Sequence, residues 1–282
     1  MKSNAPHRSV NLSSSALPTW RAAVLLTAVA ASSSLVSYGQ FIVNPNFAGS
    51  GTGGFSPGWS TGGDAAVKTP TFNGGSNPAS GLPFEAVMTT ITIDSPPISG
   101  TPAFSSGSAL ETFLGLAPGT LSNQGRGTAT EGSGITQTFS AQAGDSFTFK
   151  WNFYTSERSD ALSSLDYAFF TLHQATPSSS VTVLADPTSG LHVAPLGLLS
   201  QFSFEKGYTT SSTITIPSTG TWTLGFGVVE NNVNPGTDSA LAVTGIAFTP
   251  VPEPWAWSLA TGLGLGGLAL GRRLRRSSEA QI

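Results

Sequence analysis

The chain has no cysteine and few charged residues, and each shortage excludes classes of function. Without cysteine there can be no disulfide, thiolate metal site, cysteine nucleophile or covalently attached haem, so stability rests on the core and on any bound ions. Charged residues make up 10% of the chain, against about 25% in ordinary soluble proteins. Serine, threonine and glycine take their place, and this composition is typical of extracellular all-β proteins.

Positive charge is concentrated at the two ends of the chain. Residues 1–39 carry three basic residues and no acidic one, and residues 251–282 carry four arginines against two glutamates. Residues 40–250 hold thirteen acidic and five basic residues, a net charge of −8. Because nucleic acids and anionic lipids are bound by clustered Lys and Arg, this acidic body argues against a nucleic-acid partner.

The N-terminal segment has the layout of a secretory signal. Three basic residues precede an apolar run over residues 22–31, and small residues follow. Ser37-Tyr38-Gly39 would let a signal peptidase leave Gln40 as the mature start, and cleavage after Ala30 or Ala31 is the alternative. We therefore assign residues 1–39 as a signal peptide and expect the Sec machinery and signal peptidase as partners.

The C-terminal segment combines a short polar motif, an apolar stretch and a basic cluster. The motif is Val251-Pro252-Glu253-Pro254, the uncharged stretch runs from Trp255 to Gly271, and the basic residues are Arg272, Arg273, Arg275 and Arg276. The 17 residues of the stretch would span about 25 Å as a helix, just short of a hydrocarbon core of about 30 Å. The arginines would stop translocation on the cytoplasmic side and leave residues 277–282 as a short cytoplasmic tail.

These three features, in this order, resemble the PEP-CTERM sorting signal of Gram-negative bacteria. The resemblance implies that residues 251–276 form a sorting and anchor segment with a transmembrane helix over residues 255–271. It also implies that an exosortase processes the inner-membrane-anchored precursor, and that the exported product passes to the cell surface or the extracellular matrix. An ordinary tail anchor and a glycine-rich surface for packing between helices are the alternatives.

Residues 40–250 show the alternation of β-strands. Phe147, Phe149, Trp151 and Phe153 fall on one face of a strand, and four further apolar side chains alternate in the same way from Trp222 to Val228. Leu241 and Val243 are out of phase with Ile246 and Phe248, which predicts a β-bulge near Thr244-Gly245. No segment of the body shows convincing helical periodicity.

Nine to twelve short strands separated by Pro/Gly turns predict an antiparallel β-sandwich, jelly-roll-like, flanked by the signal helix and the transmembrane helix. The stretches GITQTFSAQAGDSFTFKWNFYTSE and DSALAVTGIAF also resemble a body domain that recurs in PEP-CTERM proteins. Many of those relatives carry an acidic residue where this chain has Thr244, so no metal site is carried over from that strand.

The body contains no recognisable catalytic motif. There is no G-x-S-x-G elbow and no H-E-x-x-H spacing, and we expect His173 and His192 to be structural or solvent-facing. Two carboxylates could in principle hydrolyse a glycosidic bond, but the spacing selects no pair among the candidates Glu85, Glu111, Glu131, Glu157, Glu205 and Glu230. The sequence therefore predicts a protein that is not an enzyme.

The most informative polar cluster is the acidic loop that follows Glu157. Our hypothesis is a structural Ca²⁺ bound by Glu157, Asp160 and Asp166, with oxygen ligands added by Glu230-Asn231-Asn232 and Asp238 if the sandwich brings these loops together. The alternative is a solvated acidic loop. No other cofactor is predicted.

Two functions follow as expectations. The first is an exported, non-enzymatic surface or matrix protein associated with extracellular polysaccharide and processed by an exosortase. The alternative is a secreted carbohydrate-binding module of lectin-like sandwich type, and a hydrolase is a distant third.

Trp59 lies in a Gly/Ser-rich loop, where we expect it to close one end of the sandwich rather than to form an exposed platform for sugar.

Overall fold

The computed structural model describes residues 42–69, 82–92, 95–157, 165–194, 202–231 and 237–251. The predicted signal peptide, Pro252 to Pro254 and the four C-terminal arginines lie outside these ranges, as does the predicted span over residues 255–271. Within the ranges, no helix has the length and apolar character needed to cross a bilayer.

The described ranges contain thirteen strands, one α-helix and one short 3₁₀-helix. The strands are β1 Ser60–Gly62, β2 Ala65–Lys68, β3 Glu85–Thr89, β4 Ala129–Ala141, β5 Ser146–Thr155, β6 Tyr167–His173, β7 Thr182–Ala185, β8 His192–Val193, β9 Phe204–Glu205, β10 Thr209–Thr210, β11 Ile214–Thr215, β12 Gly220–Asn231 and β13 Ser239–Thr249. The helices are α1 Gly107–Leu114 and the 3₁₀-helix Ser122–Gln124.

The strands form two antiparallel sheets. The first sheet has the order β1-β4-β12-β6-β7, and the second has the order β2-β3-β13-β5-β9-β8, with β10 and β11 also paired to β5. The long strands β4 and β5 follow each other in the chain but belong to different sheets, and so do β12 and β13. The predicted antiparallel β architecture is confirmed, whereas the flanking helices remain predictions.

One aromatic core lies between the two sheets. Phe149 and Trp151 of β5 share this core with Leu224 and Phe226 of β12. The rings of Phe149 and Phe226 meet edge to face with centroids 4.8 Å apart. Burying a side chain of this size contributes about 1.5–3 kcal/mol relative to leaving it exposed, so the alternating residues of β5 and β12 supply much of the stability.

The predicted bulge in the last strand is confirmed. The pairing of β13 with β5 shifts between Thr244 and Ala247, and Gly245 has a φ of 60°. This left-handed conformation favours glycine, because a Cβ there would strain the backbone. The extra residue places Ile246 on the same core face as Leu241 and Val243, and so resolves the change of phase in the sequence.

Helix α1 is an exception to the all-β body that the sequence predicts. Ser106 caps its start by accepting a hydrogen bond from the Ala109 N–H at 3.2 Å, and Gly115 ends it with a φ of 70°. Leu110 and Leu114 pack on Phe169 and other side chains of the outer face of the first sheet. Eight residues are only about two turns, too few to establish a helical period in the sequence.

Trp59 closes the core, as expected, rather than forming an exposed platform. Its side chain is buried, with ring centroids 5.3 Å from Phe47 and 6.0 Å from Phe226. The indole N–H donates to the Asn44 carbonyl at 3.2 Å. A sugar could not stack on this ring without opening the core.

The hydrogen-bonded body extends to the first residue of the predicted sorting motif. The Val251 N–H donates to Oδ1 of Asp145 at 2.8 Å, while Oδ2 of Asp145 accepts from the Gln142 N–H at 2.7 Å. Every described strand of both sheets lies between Ser60 and Thr249, and the described apolar clusters lie between Ile42 and Phe248. We therefore expect residues 40–251 to fold as a unit.

Candidate functional site

Two hydrogen-bonded pairs of polar side chains lie on the outer face of the second sheet. We call Glu85, Asn152, Glu205 and Tyr208 the outer-face cluster. Strand alternation explains its position, because the neighbours Ala86 of β3 and Trp151 and Phe153 of β5 enter the core. Glu85 and Asn152 therefore point away from the core, toward segment 202–210.

Hydrogen bonds connect the outer-face cluster to solvent. The Tyr208 hydroxyl donates to Oε2 of Glu85, and the Asn152 amide donates to Oε2 of Glu205 at 2.7 Å. Nε2 of His192 lies 3.3 Å from Oε1 of Glu205. Glu85, Asn152 and Glu205 are buried, whereas Tyr208 is half-buried and the His192 side chain is exposed, so these two residues mark where the cluster reaches the surface.

Two polar atoms of this cluster have no hydrogen-bond partner among the described residues. They are Oε1 of Glu85 and Oδ1 of Asn152, both fully buried. A buried polar atom without a partner costs about 1–3 kcal/mol, and native proteins contain few of them. Because both atoms are shielded from solvent, a ligand could pair with them only after the covering side chains moved, and Tyr208, which is half-buried and bonded to Glu85, is the one that reaches the surface.

Burial also changes the proton affinity of the cluster. It raises the pKa of Glu85 to about 8, so the carboxyl is largely protonated at neutral pH and can donate as well as accept. The pKa of Tyr154 is raised by its own burial first, and then by the charges of Glu85 and Glu205. These two glutamates, both among the six considered from the sequence, therefore lie near the same phenol ring.

Apolar side chains adjoin the polar ones. Val87, Tyr154, Phe202 and Ala242 belong to a separate apolar cluster, against which Tyr208 packs. Aromatic and aliphatic surface combined with a few convergent polar groups is the usual composition of a small-molecule site.

A second polar group, which we call the end cluster, contains two of the three predicted calcium ligands. It consists of Glu157, Asp166, Glu230 and Asn231, and the third predicted ligand, Asp160, lies outside the described residues. The Asp166 N–H donates to Oε2 of Glu157 at 3.0 Å, and the Asn231 N–H donates to Oδ1 of Asp166 at 3.1 Å. Sequence reasoning thus identified residues that the fold brings together.

Negative charge and burial act together in the end cluster. Burial, followed by the charges of Glu157 and Glu230, raises the pKa of Asp166, and burial raises the pKa of Glu157. Across the described ranges, no group of three or more His, Cys, Asp or Glu side chains is placed to hold a metal ion. Any cation here would need ligands other than carboxylates as well.

The histidines and the buried Glu111 have structural surroundings. Nε2 of His173 lies 3.1 Å from the Leu114 carbonyl beneath α1, and His192 is exposed beside Glu205. Glu111 accepts from the N–H groups of Gly119 and Leu121 at 2.9 and 2.8 Å, and so fixes the chain after α1. These contacts agree with the expectation that both histidines are structural or solvent-facing.

Sequence reasoning missed the outer-face cluster as a group. Glu85 and Tyr208 are 123 residues apart, and Asn152 and Glu205 are 53 apart. The sequence signal was limited to single polar residues at outward positions of β3 and β5, namely Glu85 and Asn152.

No protein-family model matches the chain, and no curated protein matches it. Among solved structures, TmCBM61 in complex with β-1,4-galactotriose matches 75% of this chain and 99% of its own, with 13% identity and a TM-score of 0.36. The enzymatically active domain of bacteriophage CBA120 tailspike protein 4 matches 69% of this chain and 20% of its own, with 11% identity and a TM-score of 0.29. A family 35 carbohydrate-binding module from an environmental isolate matches 44% of this chain and 73% of its own, with 17% identity and a TM-score of 0.20. Likeness at this level assigns neither a family nor a ligand.

Proposed function

We propose that the body is a carbohydrate-binding β-sandwich of the cell surface or extracellular matrix, and that the outer-face cluster holds the sugar. The observation that supports this most is the pair of buried oxygens without partners, Oε1 of Glu85 and Oδ1 of Asn152. A sugar hydroxyl both donates and accepts, so it can donate to Oδ1 of Asn152 and accept from the protonated Oε1 of Glu85, which removes the cost of leaving these buried atoms unpaired.

The spacing of the strands that carry Glu85 and Asn152 favours a ligand with several hydroxyls. Ala242 of β13 pairs with Val87 on one side and with Asn152 on the other, and Glu85 lies two residues from Val87. Standard strand spacings therefore separate the Cα atoms of Glu85 and Asn152 by about 12 Å. Donors on separate carbons of one sugar chain fit this separation better than a single ion or a single water.

The charge of the cluster favours a neutral sugar. An acidic sugar would bring its carboxylate toward Glu205, on a body of net charge −8. Glu85, protonated at neutral pH, can donate to a ring or hydroxyl oxygen while its other oxygen accepts. The half-buried ring of Tyr208 adds an apolar surface for the face of the sugar ring.

Delivery to the cell surface is the second part of the proposal. The signal peptide, residues 1–39, would direct Sec export, and the span over residues 255–271 would hold the precursor in the inner membrane with its arginines on the cytoplasmic side. An exosortase would then process the segment that begins at Val251. The contact between Val251 and Asp145 supports this order, because the described body reaches the first residue of the motif.

A glycan array tests the binding proposal. Residues 40–251 would be screened against neutral and acidic oligosaccharides, including β-1,4-galactotriose and fragments of bacterial exopolysaccharide. We expect binding to one class of neutral glycan. Absence of binding to every glycan at millimolar concentration would contradict the proposal, and release of shorter sugars from a bound glycan would replace it with hydrolysis by the two glutamates.

A further inference from the structure

The ends of three strands build the end cluster. Glu157 follows β5 of the second sheet, Asp166 precedes β6 of the first sheet, and Asn231 is the last residue of β12. Val229 pairs with Tyr167, and this register brings Asn231 beside Leu165, whose carbonyl accepts from the Asn231 amide at 2.7 Å. Strand pairing, rather than a flexible loop, therefore sets these positions.

The carboxyl groups of Glu157 and Asp166 lie close enough to repel each other when both are charged. The carboxyl of Asp166 is fully buried and interacts with the charges of both Glu157 and Glu230. No lysine, arginine or histidine in the described ranges forms an ion pair with Glu157 or Asp166. Buried charges are normally paired, or they coordinate a metal ion.

Within the part of the chain that the structure describes, two buried oxygens of this cluster have no assigned hydrogen bond. They are Oδ2 of Asp166 and Oδ1 of Asn231, both on fully buried side chains. The two residues are joined by the hydrogen bond from the Asn231 N–H to Oδ1 of Asp166, so both unpartnered oxygens belong to one hydrogen-bonded pair. The Ser239 hydroxyl lies near enough to Asp166 to lower its pKa, so Oδ1 of Asn231 is the clearer of the two observations and indicates a missing cation.

We propose that the end cluster binds one Ca²⁺ through Oδ2 of Asp166, Oδ1 of Asn231 and the carboxylate of Glu157, with water completing the coordination. Carboxylate and amide oxygens are the ligands that calcium prefers, and its flexible coordination of six to eight oxygens accommodates a mixed set. Magnesium demands a near-ideal octahedron and keeps several of its waters, so it fits this set less well. The site does not depend on the outer-face cluster.

Thermal unfolding of residues 40–251 after removal of divalent ions tests this site. We expect CaCl₂ to raise the Tm in a saturable way, with a Kd of about 0.1–1 mM as in other extracellular modules, and MgCl₂ to have a smaller effect. Calorimetric titration should give one ion per chain. No change in Tm at millimolar Ca²⁺ would overturn the proposal. The buried carboxyl groups would then be neutralised by protons instead of by a metal ion.

Two matched variants locate the ion. Asp166→Asn keeps an oxygen that can accept from the Asn231 N–H and removes one charge from a repulsive group, so it should fold. We expect it to weaken Ca²⁺ binding by about tenfold or more, since a carboxylate ligand is lost. Glu85→Gln also removes one buried carboxyl, but at the outer-face cluster, and should bind Ca²⁺ normally. If Ca²⁺ binds to Asp166→Asn and raises its Tm as it does for the wild type, the assignment of Asp166 as a ligand is overturned.

Discussion

Tyr208 donates its hydroxyl hydrogen to Oε2 of Glu85, a residue 123 positions earlier in the chain. This contact holds the segment after β9 against the outer face of β3. It gives one carboxyl oxygen a partner and leaves the other, Oε1, without one. The proposed sugar site depends on this difference between the two oxygens. The hydrogen bond from Tyr208 to Oε2 fixes the orientation of the carboxyl group, and so the position of Oε1, which a ligand would contact.

The elevated pKa of Glu85 predicts a specific pH dependence of stability. Burial raises this pKa from 4.5 to about 8, so the folded state binds a proton that the unfolded state releases at lower pH. The free energy of unfolding should therefore decrease as the pH rises from about 4.5 to about 8, by a few kcal/mol at most. Urea denaturation at several pH values measures this.

The variant Glu85→Gln isolates that contribution. Glutamine mimics the protonated carboxyl, so the variant should lose less stability than the natural protein between pH 5 and pH 8. Asp166 and Glu157 have raised pKa values as well, and their contribution is common to both proteins. Identical pH profiles would show that Glu85 does not titrate in this range.

Removing the central aromatic ring should destabilise the sandwich strongly. Phe149 lies 4.8 Å from Phe226 and 5.4 Å from Phe170, measured between ring centroids, and is fully buried. Phe149→Ala should reduce the free energy of unfolding by about 3–5 kcal/mol, because the cavity adds to the lost transfer energy. Phe149→Leu should cost less. Equal losses in the two variants, from denaturant titration, would indicate that the core collapses around the site.

Asp145 should stabilise the end of the body. Its carboxylate accepts from the N–H groups of Gln142 and Val251 at 2.7 and 2.8 Å. Asp145→Ala should reduce the free energy of unfolding by about 1–3 kcal/mol and make the chain near Val251 more sensitive to protease. Limited proteolysis with mass spectrometry locates the cut. Asp145→Asn, which keeps one acceptor, should be intermediate, and a wild-type digestion pattern in Asp145→Ala would contradict this role.

The sorting segment can be tested in a host that has an exosortase. Replacing Pro252, Glu253 and Pro254 with alanine should leave the full-length precursor in the inner-membrane fraction, because the recognised motif is lost while the span and arginines remain. Immunoblots of membrane and extracellular fractions give the result, and the mature C-terminus of the unaltered protein, read by mass spectrometry, should lie upstream of Arg272. Normal release of the variant, or arginines retained in the released product, would count against this assignment.

Much of the sandwich was predictable because strand alternation is local. The faces of β5 and β12, the turn at Gly144 and the bulge at Gly245 all follow from period-2 patterns and glycine positions. Helix α1 was not predictable, since only its cap residues, Ser106 and Gly115, mark it in the sequence.

The two candidate sites also differ in how far the sequence alone predicts them. Glu157 and Asp166 are only nine residues apart, so the acidic loop between them predicted the end cluster from local sequence. The outer-face cluster forms only after β3, β5 and β9 join one sheet, and a sequence without its strand pairing does not contain that information.

The affinity of Glu85 variants for the glycan identified on the array tests the central claim most directly. Calorimetric titration would compare wild type with Glu85→Leu, which removes the polar group, and with Glu85→Gln, which keeps it. Thr221→Val, an exposed change on the first sheet, serves as the control. We predict at least about a tenfold loss of affinity in Glu85→Leu, consistent with leaving buried polar partners unpaired, and near-normal binding in the other two. Equal affinity in Glu85→Leu and wild type, with both folded, would contradict a sugar site on the outer face of the second sheet.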